Sequence, residues 1–192
     1  MRTLRILTSA TAAQIVEFAV VLPLLAVMVV GIFDFGQAFS IRQKLTFAAR
    51  DAARFGSSQP TNDLTQAVPI SVSAIRDLVD ADLISAGLSD CGLGTISQAG
   101  PVAWSATGKT GTCPNSAPFT LTIDRGYVSP PLGQPGILIP GASGPLRLIS
   151  THVQISYPFQ WHFNSIIRLL VPSATYAGIT QIETDAIAPN QD

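Results

Sequence analysis

The amino-acid sequence predicts an α+β protein in which a long N-terminal helix carries a small head. Three observations support this prediction: a charge-free apolar run from Phe18 to Phe33, a helical period that resumes at Ile70, and alternation of apolar and polar residues from Phe119 onward. A period of 3.6 residues indicates a helix, whereas a period of two indicates a strand. We therefore expect one long helix, a second helix and then strands.

The first helix is predicted over Ala12–Phe55, and its N-terminal half is predicted to cross a membrane. From Ile15 to Phe33 the chain has about the twenty residues needed to cross roughly 30 Å of hydrocarbon at about 1.5 Å per residue. Pro23 lies inside this stretch and is expected to kink the helix or loosen one turn.

The C-terminal half of this helix is predicted to be amphipathic. After Asp34, apolar residues recur at alternating spacings of three and four and so form one stripe on the helix. This pattern is typical of a surface that packs against a partner or against the protein's own domain. Gly56 and the polar residues that follow it are stop signals. The members of the stripe are Ala38, Ile41, Leu45, Ala48, Ala52 and Phe55.

Glu17 interrupts the apolar run, and an ionisable group at this depth costs a few kcal/mol unless something pairs with it. Two interpretations are open. Glu17 pairs with an ammonium group in an assembly, or it extends to the nearby cytoplasmic surface.

Three stretches carry a resemblance to a known family: Ala12–Leu25, Gly31–Gly36 and Ala48–Arg54. They resemble the N-terminal region of TadE-like pseudopilins, minor subunits of the bacterial tight-adherence (Flp) pilus, which are related to type IV pilins. The resemblance covers about the first third of the chain. It implies a pilin-like head with a small antiparallel sheet.

The resemblance also implies processing by a prepilin peptidase. In the family the cut precedes a segment whose fifth residue is the glutamate, which places it between Ala12 and Ala13 and makes Glu17 the fifth residue. The family usually has Gly before the cut, where this chain has Ala12. Glu17, Phe18 and Pro23 would then take part in subunit packing.

These observations divide the chain into a leader (1–12), a transmembrane and stem helix (13–56) and an extracytoplasmic head (57–192). Arg2 and Arg5 before the span favour a cytoplasmic N-terminus and a periplasmic head, while Arg42 and Lys44 on the other side weigh against that orientation. A secretory signal peptide is disfavoured, because the positions near Gly36 that would follow the apolar core make a poor cleavage site.

In the head, a second helix is predicted over Ile70–Ala86, with Gly87 as its stop. One face carries Val72, Ile75, Leu78, Val79 and Leu83, and this face is expected to pack near the stem.

The two cysteines, Cys91 and Cys113, are predicted to form a disulfide if the head is periplasmic, the alternative being two free buried thiols.

Strand signals begin at Phe119, where Phe119, Leu121 and Ile123 share a face. Residues 129–145 are rich in Pro and Gly and are predicted to form a surface loop. A long strand follows over 147–159, with His152 opposite an apolar set made of Ile149, Thr151, Val153, Ile155 and Tyr157.

Residues 159–172 are apolar and too short to span a membrane. They form either an ordinary connection packed on the head or a short helix at a membrane or subunit border, which Trp161 and Phe163 would suit. The last strand is predicted over 173–187, with Tyr176, Ile179 and Ile182, and the chain is expected to fray from Pro189.

No catalytic, cofactor-binding or metal-binding pattern is recognisable, and no basic face for nucleic acid is visible at a net charge of -1. Asp77, Asp80 and Asp82 lack the spacing of metal ligands. We predict a non-enzymatic, single-pass protein of the bacterial inner membrane.

The resemblance implies a minor pseudopilin whose partners are other pilin and pseudopilin subunits, the prepilin peptidase, membrane lipid and the inner-membrane assembly platform. It also implies that the processed protein enters an extracellular pilus. A periplasmic scaffold that stays anchored and never enters a fibre is the alternative, and a secreted head cleaved near Phe39 is a third hypothesis.

Overall fold

A computed structural model describes residues 8–109, 111–115, 117–132, 136, 146–162 and 181–191, with only the backbone for 8–12. Its strands form one sheet of order β1-β2-β3-β4-β5, in which every neighbouring pair is antiparallel. The predicted α+β class is therefore confirmed. The elements are α1 (Thr8–Ser57), α2 (Ile70–Ser85), β1 (Ser97–Gln98), β2 (Ala103–Thr107), β3 (Thr120–Ser129), β4 (Leu148–Pro158) and β5 (Gln181–Pro189).

Contacts divide the chain into two compact units, residues 1–37 with 161–178 and residues 38–160 with 179–192. The first unit contains the N-terminal part of α1. The second contains the rest of α1, α2 and the sheet. Below, the word head refers to this unit, which includes residues 38–57 of α1 as well as the predicted head. The amphipathic half of α1 is thus a structural part of the head.

Within the head, α1 presents a seam of small residues to the core. Leu45 is fully buried, and the small residues on the turns that follow it are also buried: Ala48, Ala49, Ala52, Ala53 and Gly56. The predicted stripe is confirmed at Leu45, Ala48 and Ala52, and Ile41 packs partly against the core. Phe55 is 36% exposed in this chain, so packing of that residue against a partner stays a prediction. The buried face turns toward Ala53 and Gly56 because small side chains allow close approach to the sheet.

Helix α2 matches its predicted range to within a residue. Val72, Ile75, Val79 and Leu83 are buried, whereas Leu78 is only half-buried. Gly87 has φ +72°, and the Leu88 N–H donates to the carbonyl of Leu83 at 2.9 Å, which ends the helix as predicted. Lys44 Nζ on α1 donates to the Ala86 carbonyl at 2.7 Å, so α1 also caps the C-terminus of α2.

The inner face of the sheet completes the core. Phe119, Leu121 and Ile123 are buried as predicted, and on β4 so are Thr151, Val153, Ile155 and Tyr157. Ile149, on the same side by alternation, is 62% exposed because it lies beside Asn190, beyond the last residue of β5. His152 lies on the outer face, with its Nε2 3.3 Å from Asp185 Oδ2.

The sequence pattern does not predict β1 and β2, because clear strand signals begin only at Phe119. The indole of Trp104 on β2 is nonetheless fully buried, and its Nε1 donates to the Ala67 carbonyl at 3.0 Å. The five residues of β2 lie among Gly, Ser and Thr, so their alternation is too short to stand out in the sequence.

The predicted disulfide between Cys91 and Cys113 is present, with a Cα–Cα distance of 4.8 Å. Cys91 is fully buried in the core cluster, so the bond ties the loop of 91–113 to the inside of the head.

The prediction that the chain frays from Pro189 is wrong. Asn190 Nδ2 donates to the Arg125 carbonyl at 3.1 Å, and Asn190 Oδ1 accepts from Thr151 Oγ1 at 2.7 Å. The Gln191 N–H donates to the Ser57 carbonyl at 3.0 Å. These polar contacts, which hydropathy does not reveal, hold the end of the chain against the end of α1.

Several predictions fall mainly outside the described residues: the loop of 129–145, the connection of 159–172, Phe163, and the start of the last strand with Tyr176 and Ile179. Within the described part, Ile182 packs partly against the core.

Candidate functional site: the N-terminal helix

The N-terminal half of α1 exposes a continuous apolar surface. Twelve of the large side chains between Ile15 and Phe33 are 41–71% exposed. Soluble monomers rarely expose apolar patches of more than a few hundred Å². Among the described residues, this helix is the one long and apolar enough to cross a membrane. Lipid or other apolar helices must therefore cover it.

The sequence forms a helix here because Ala, Leu and Met favour it, and because a backbone in lipid must satisfy its own hydrogen bonds. The helix continues through Pro23. Proline has no N–H, so the carbonyl of Ala19, four residues earlier, lacks its helical donor. The expected kink at Pro23 stays a prediction.

Glu17 lies on the exposed surface of the same turn as Ala13. Together with Val16, Val20 and Val21 these residues line one shallow, almost wholly apolar depression. Within the described part of the chain, Glu17 has no ion-pair partner. Its carboxylate therefore lies at an apolar surface and can accept a partner from outside the chain.

The predicted cleavage site lies inside the helix, because α1 begins at Thr8 and the Ala12–Ala13 bond follows a few residues later. The first turn of a helix has the fewest internal hydrogen bonds and opens most easily. The Ala12–Ala13 bond lies just past this first turn, so a peptidase could reach it only if the helix unwound beyond its first turn. A cut would leave the Ala13 ammonium four residues from Glu17, which is the spacing of facing side chains on a helix.

Asp34 ends the apolar surface and is a site residue that sequence reasoning missed. Its side chain is only 3% exposed, and its Oδ1 lies 3.2 Å from His162 Nδ1. The neighbouring Phe35 ring meets the Trp161 indole edge to face at 5.3 Å between centroids. The two partners follow Asp34 by more than a hundred residues, so no spacing in the sequence reveals them. Together these contacts attach residues 161–162 to α1 where the apolar run ends.

In the described part of the chain, no group of three or more His, Cys, Asp or Glu side chains is placed to hold a metal ion. Asp77 is exposed and pairs with Arg76 at 3.0 Å. Burial raises the pKa of both Asp80 and Asp82 above the usual Asp value. All three carboxylates lie on α2.

Comparison with protein families gives one finding for this helix. Residues 12–54 match the model of a family described as TadE-like protein, and they all belong to α1. No curated protein and no solved structure was found to match the chain. The match covers α1 and neither α2 nor the sheet, and the TadE-like family suggests a protein associated with the Tad pilus system. The apolar helix is that of a single-pass membrane anchor.

Proposed function

We propose that this protein is a minor pseudopilin of a tight-adherence pilus. A prepilin peptidase removes residues 1–12, and the protein then leaves the inner membrane by packing α1 against the helices of other pilin and pseudopilin subunits at the assembly platform. The observation that carries the proposal is the exposed apolar run of the helix matched by the TadE-like family, which one carboxylate, Glu17, interrupts.

Glu17 gives this packing its register. A buried carboxylate in hydrocarbon is costly, and an opposite charge within a few ångströms relieves that cost. The Ala13 ammonium of a neighbouring subunit, displaced along the helix, supplies such a charge. The surrounding Val16, Val20 and Val21 exclude water and strengthen the attraction. Phe18 and Pro23 belong to the same surface and would meet the neighbouring helices.

The first test is the mass and N-terminal sequence of the protein purified from its native membrane, with and without the prepilin peptidase. We expect a peptidase-dependent start at Ala13. A start at Met1 in both samples would support the alternative, a periplasmic scaffold that remains anchored. A start near Phe39 would instead indicate a secreted head.

The second test replaces the carboxylate. Glu17→Gln should leave membrane insertion intact, because it removes a charge from an apolar run, but it should reduce the amount of this subunit in sheared pili by about tenfold or more, since one desolvated charge pair is lost. The readout is the ratio of pilus-associated to membrane-associated protein. Asp77→Asn, on the exposed face of α2, is the matched control. Equal incorporation of both variants would count against the proposal.

A further inference from the structure

Among the described residues, no strand pairs with the outer edge of β5. Within the described residues, β5 is the last strand of the sheet and pairs only with β4. The Asn190 N–H donates to the Ile149 carbonyl at 3.0 Å, which makes this a hydrogen-bonded pair of the antiparallel ladder. Since such pairs alternate with unbonded ones, the backbone groups of Glu183, Asp185 and Ile187 point away from the sheet. Unpaired groups of this kind are a template for an added strand.

A positively charged groove runs along this edge. Arg50 and Arg54, one turn apart on the head portion of α1, line it together with residues 186–189 of β5 and Gln191. Both arginines are exposed, and neither forms a salt bridge among the described residues. Their guanidinium groups are therefore available to carboxylates on the α1 side of an added strand.

The other side of the same edge is negatively charged. Glu183 and Asp185 are exposed on the outer face of β5, away from the core. Successive side chains of an added strand would point alternately to the two faces. Acidic residues on one face would meet the arginines, and basic residues on the other would lie beside Glu183 and Asp185.

These charges disfavour a second copy of the chain as the occupant. Two β5 edges paired antiparallel about Asp185 would place acidic side chains directly opposite each other, which destabilises a strand pair. The occupant must have charges that complement those of β5.

We propose that the β5 edge and the Arg50–Arg54 groove bind an extended segment of another protein by strand addition, and that acidic residues of this segment face α1 while basic residues face outward. The site lies wholly in the head. It does not depend on how the N-terminal helix packs, so either proposal can fail without the other.

The test measures peptide binding to the full-length protein in detergent micelles by fluorescence anisotropy at low salt. The probe is a labelled peptide of two repeats of Lys-Glu-Thr-Val, which as a strand carries lysines on one face and glutamates on the other. The control peptide repeats Lys-Thr-Glu-Val, which has the same composition but carries both charges on one face. We expect the first peptide to bind at least about fivefold more tightly, since several exposed charge pairs act together.

Two variants locate the binding. Arg50→Glu with Arg54→Glu should weaken binding of the first peptide by about fivefold or more, whereas Arg42→Glu with Lys109→Glu, an equal charge change outside the groove, should not. Ile187→Pro removes the outward-pointing N–H of residue 187 but no hydrogen bond between β4 and β5. This variant should also weaken binding of the first peptide. Circular dichroism establishes that each variant is folded.

Equal affinity for the two peptides, or binding that none of the groove variants weakens, would overturn the proposal. Self-association that Ile187→Pro abolishes would also overturn it and would assign the edge to a second copy.

Discussion

Gly56 lies where the last turn of α1 packs tightly against the rest of the head. A Cβ atom there would lie 2.8 Å from Thr151 Cγ2 on β4 and 2.9 Å from Ile75 Cδ1 on α2. The last turn of α1 is thus wedged between strand and helix, and the absence of a side chain makes this possible. Gly56 acts as a packing residue as well as a stop signal.

Gly56→Ala is therefore expected to lower the free energy of unfolding of the head by about 1–3 kcal/mol, because Thr151 and Ile75 must shift to make room. Urea unfolding of the full-length protein in detergent measures the change. Gly36→Ala is the control, since nothing lies within 4 Å of a Cβ atom at Gly36. If both substitutions had the same effect, the close approach at Gly56 would not limit stability.

At the scale of the element, α2 has a well-packed inner face, but two of its carboxylates, those of Asp80 and Asp82, lie in unfavourable surroundings. One carboxylate oxygen of Asp80 and one of Asp82 are shielded from solvent and have no hydrogen-bond partner in the described part of the chain. Burial raises the pKa of Asp80, and the negative charge of Asp90 raises it further, although Arg76 acts in the opposite direction. Burial and then Asp51 raise the pKa of Asp82. The folded protein is thus less stable when Asp80 and Asp82 are ionised than it would be with neutral side chains at these positions.

Because the pKa of Asp80 is higher in the folded state than the ordinary 3.8, the folded state binds more protons in the pH range just above that value. Stability therefore rises as pH falls toward the ordinary Asp range. Asp80→Asn should raise the free energy of unfolding at pH 7 and remove this part of the pH dependence. The urea midpoint, measured between neutral pH and about pH 4, gives the result. Glu183→Gln, at an exposed position of β5 that is not among the charges acting on Asp80, should leave the slope unchanged, and an unchanged slope in Asp80→Asn as well would refute the assignment.

At the scale of the whole molecule, the disulfide ties the loop-rich part of the head to its core. Cys91 is fully buried, and the Cys91 carbonyl accepts the N–H of Lys109 at 2.8 Å. Disulfides persist in the periplasm and are rare in the cytosol. A disulfide in the head therefore agrees with a head that lies across the membrane from the leader.

The paired substitution Cys91→Ala with Cys113→Ala is expected to lower the free energy of unfolding by about 3 kcal/mol, because the unfolded chain regains the entropy of the loop that the bond closes. The measurement compares urea unfolding of this variant with that of the oxidised protein. Thiol labelling after denaturation should find both cysteines protected in protein from native membranes. Full labelling would place the head in a reducing compartment and contradict the proposed orientation.

The sequence by itself determined the elements with strong local patterns. The apolar run before Asp34, the inner face of α2 and the alternation after Phe119 are each set by hydrophobic periodicity, which depends only on neighbouring residues. Glu17 stood out for the same reason, as one charge in an apolar run. The two cysteines allowed only one intramolecular bond.

Only the tertiary structure decided which residues meet across long separations in the chain. It brought Asp34 to His162, placed Trp104 in the core, and tied Asn190 to Arg125 and Thr151. It also turned the buried face of α1 from Phe55 to Gly56. These contacts depend on shape and on single hydrogen bonds between distant residues. Local periodicity does not encode them, because burying a polar group is favourable only once its particular partner is in place.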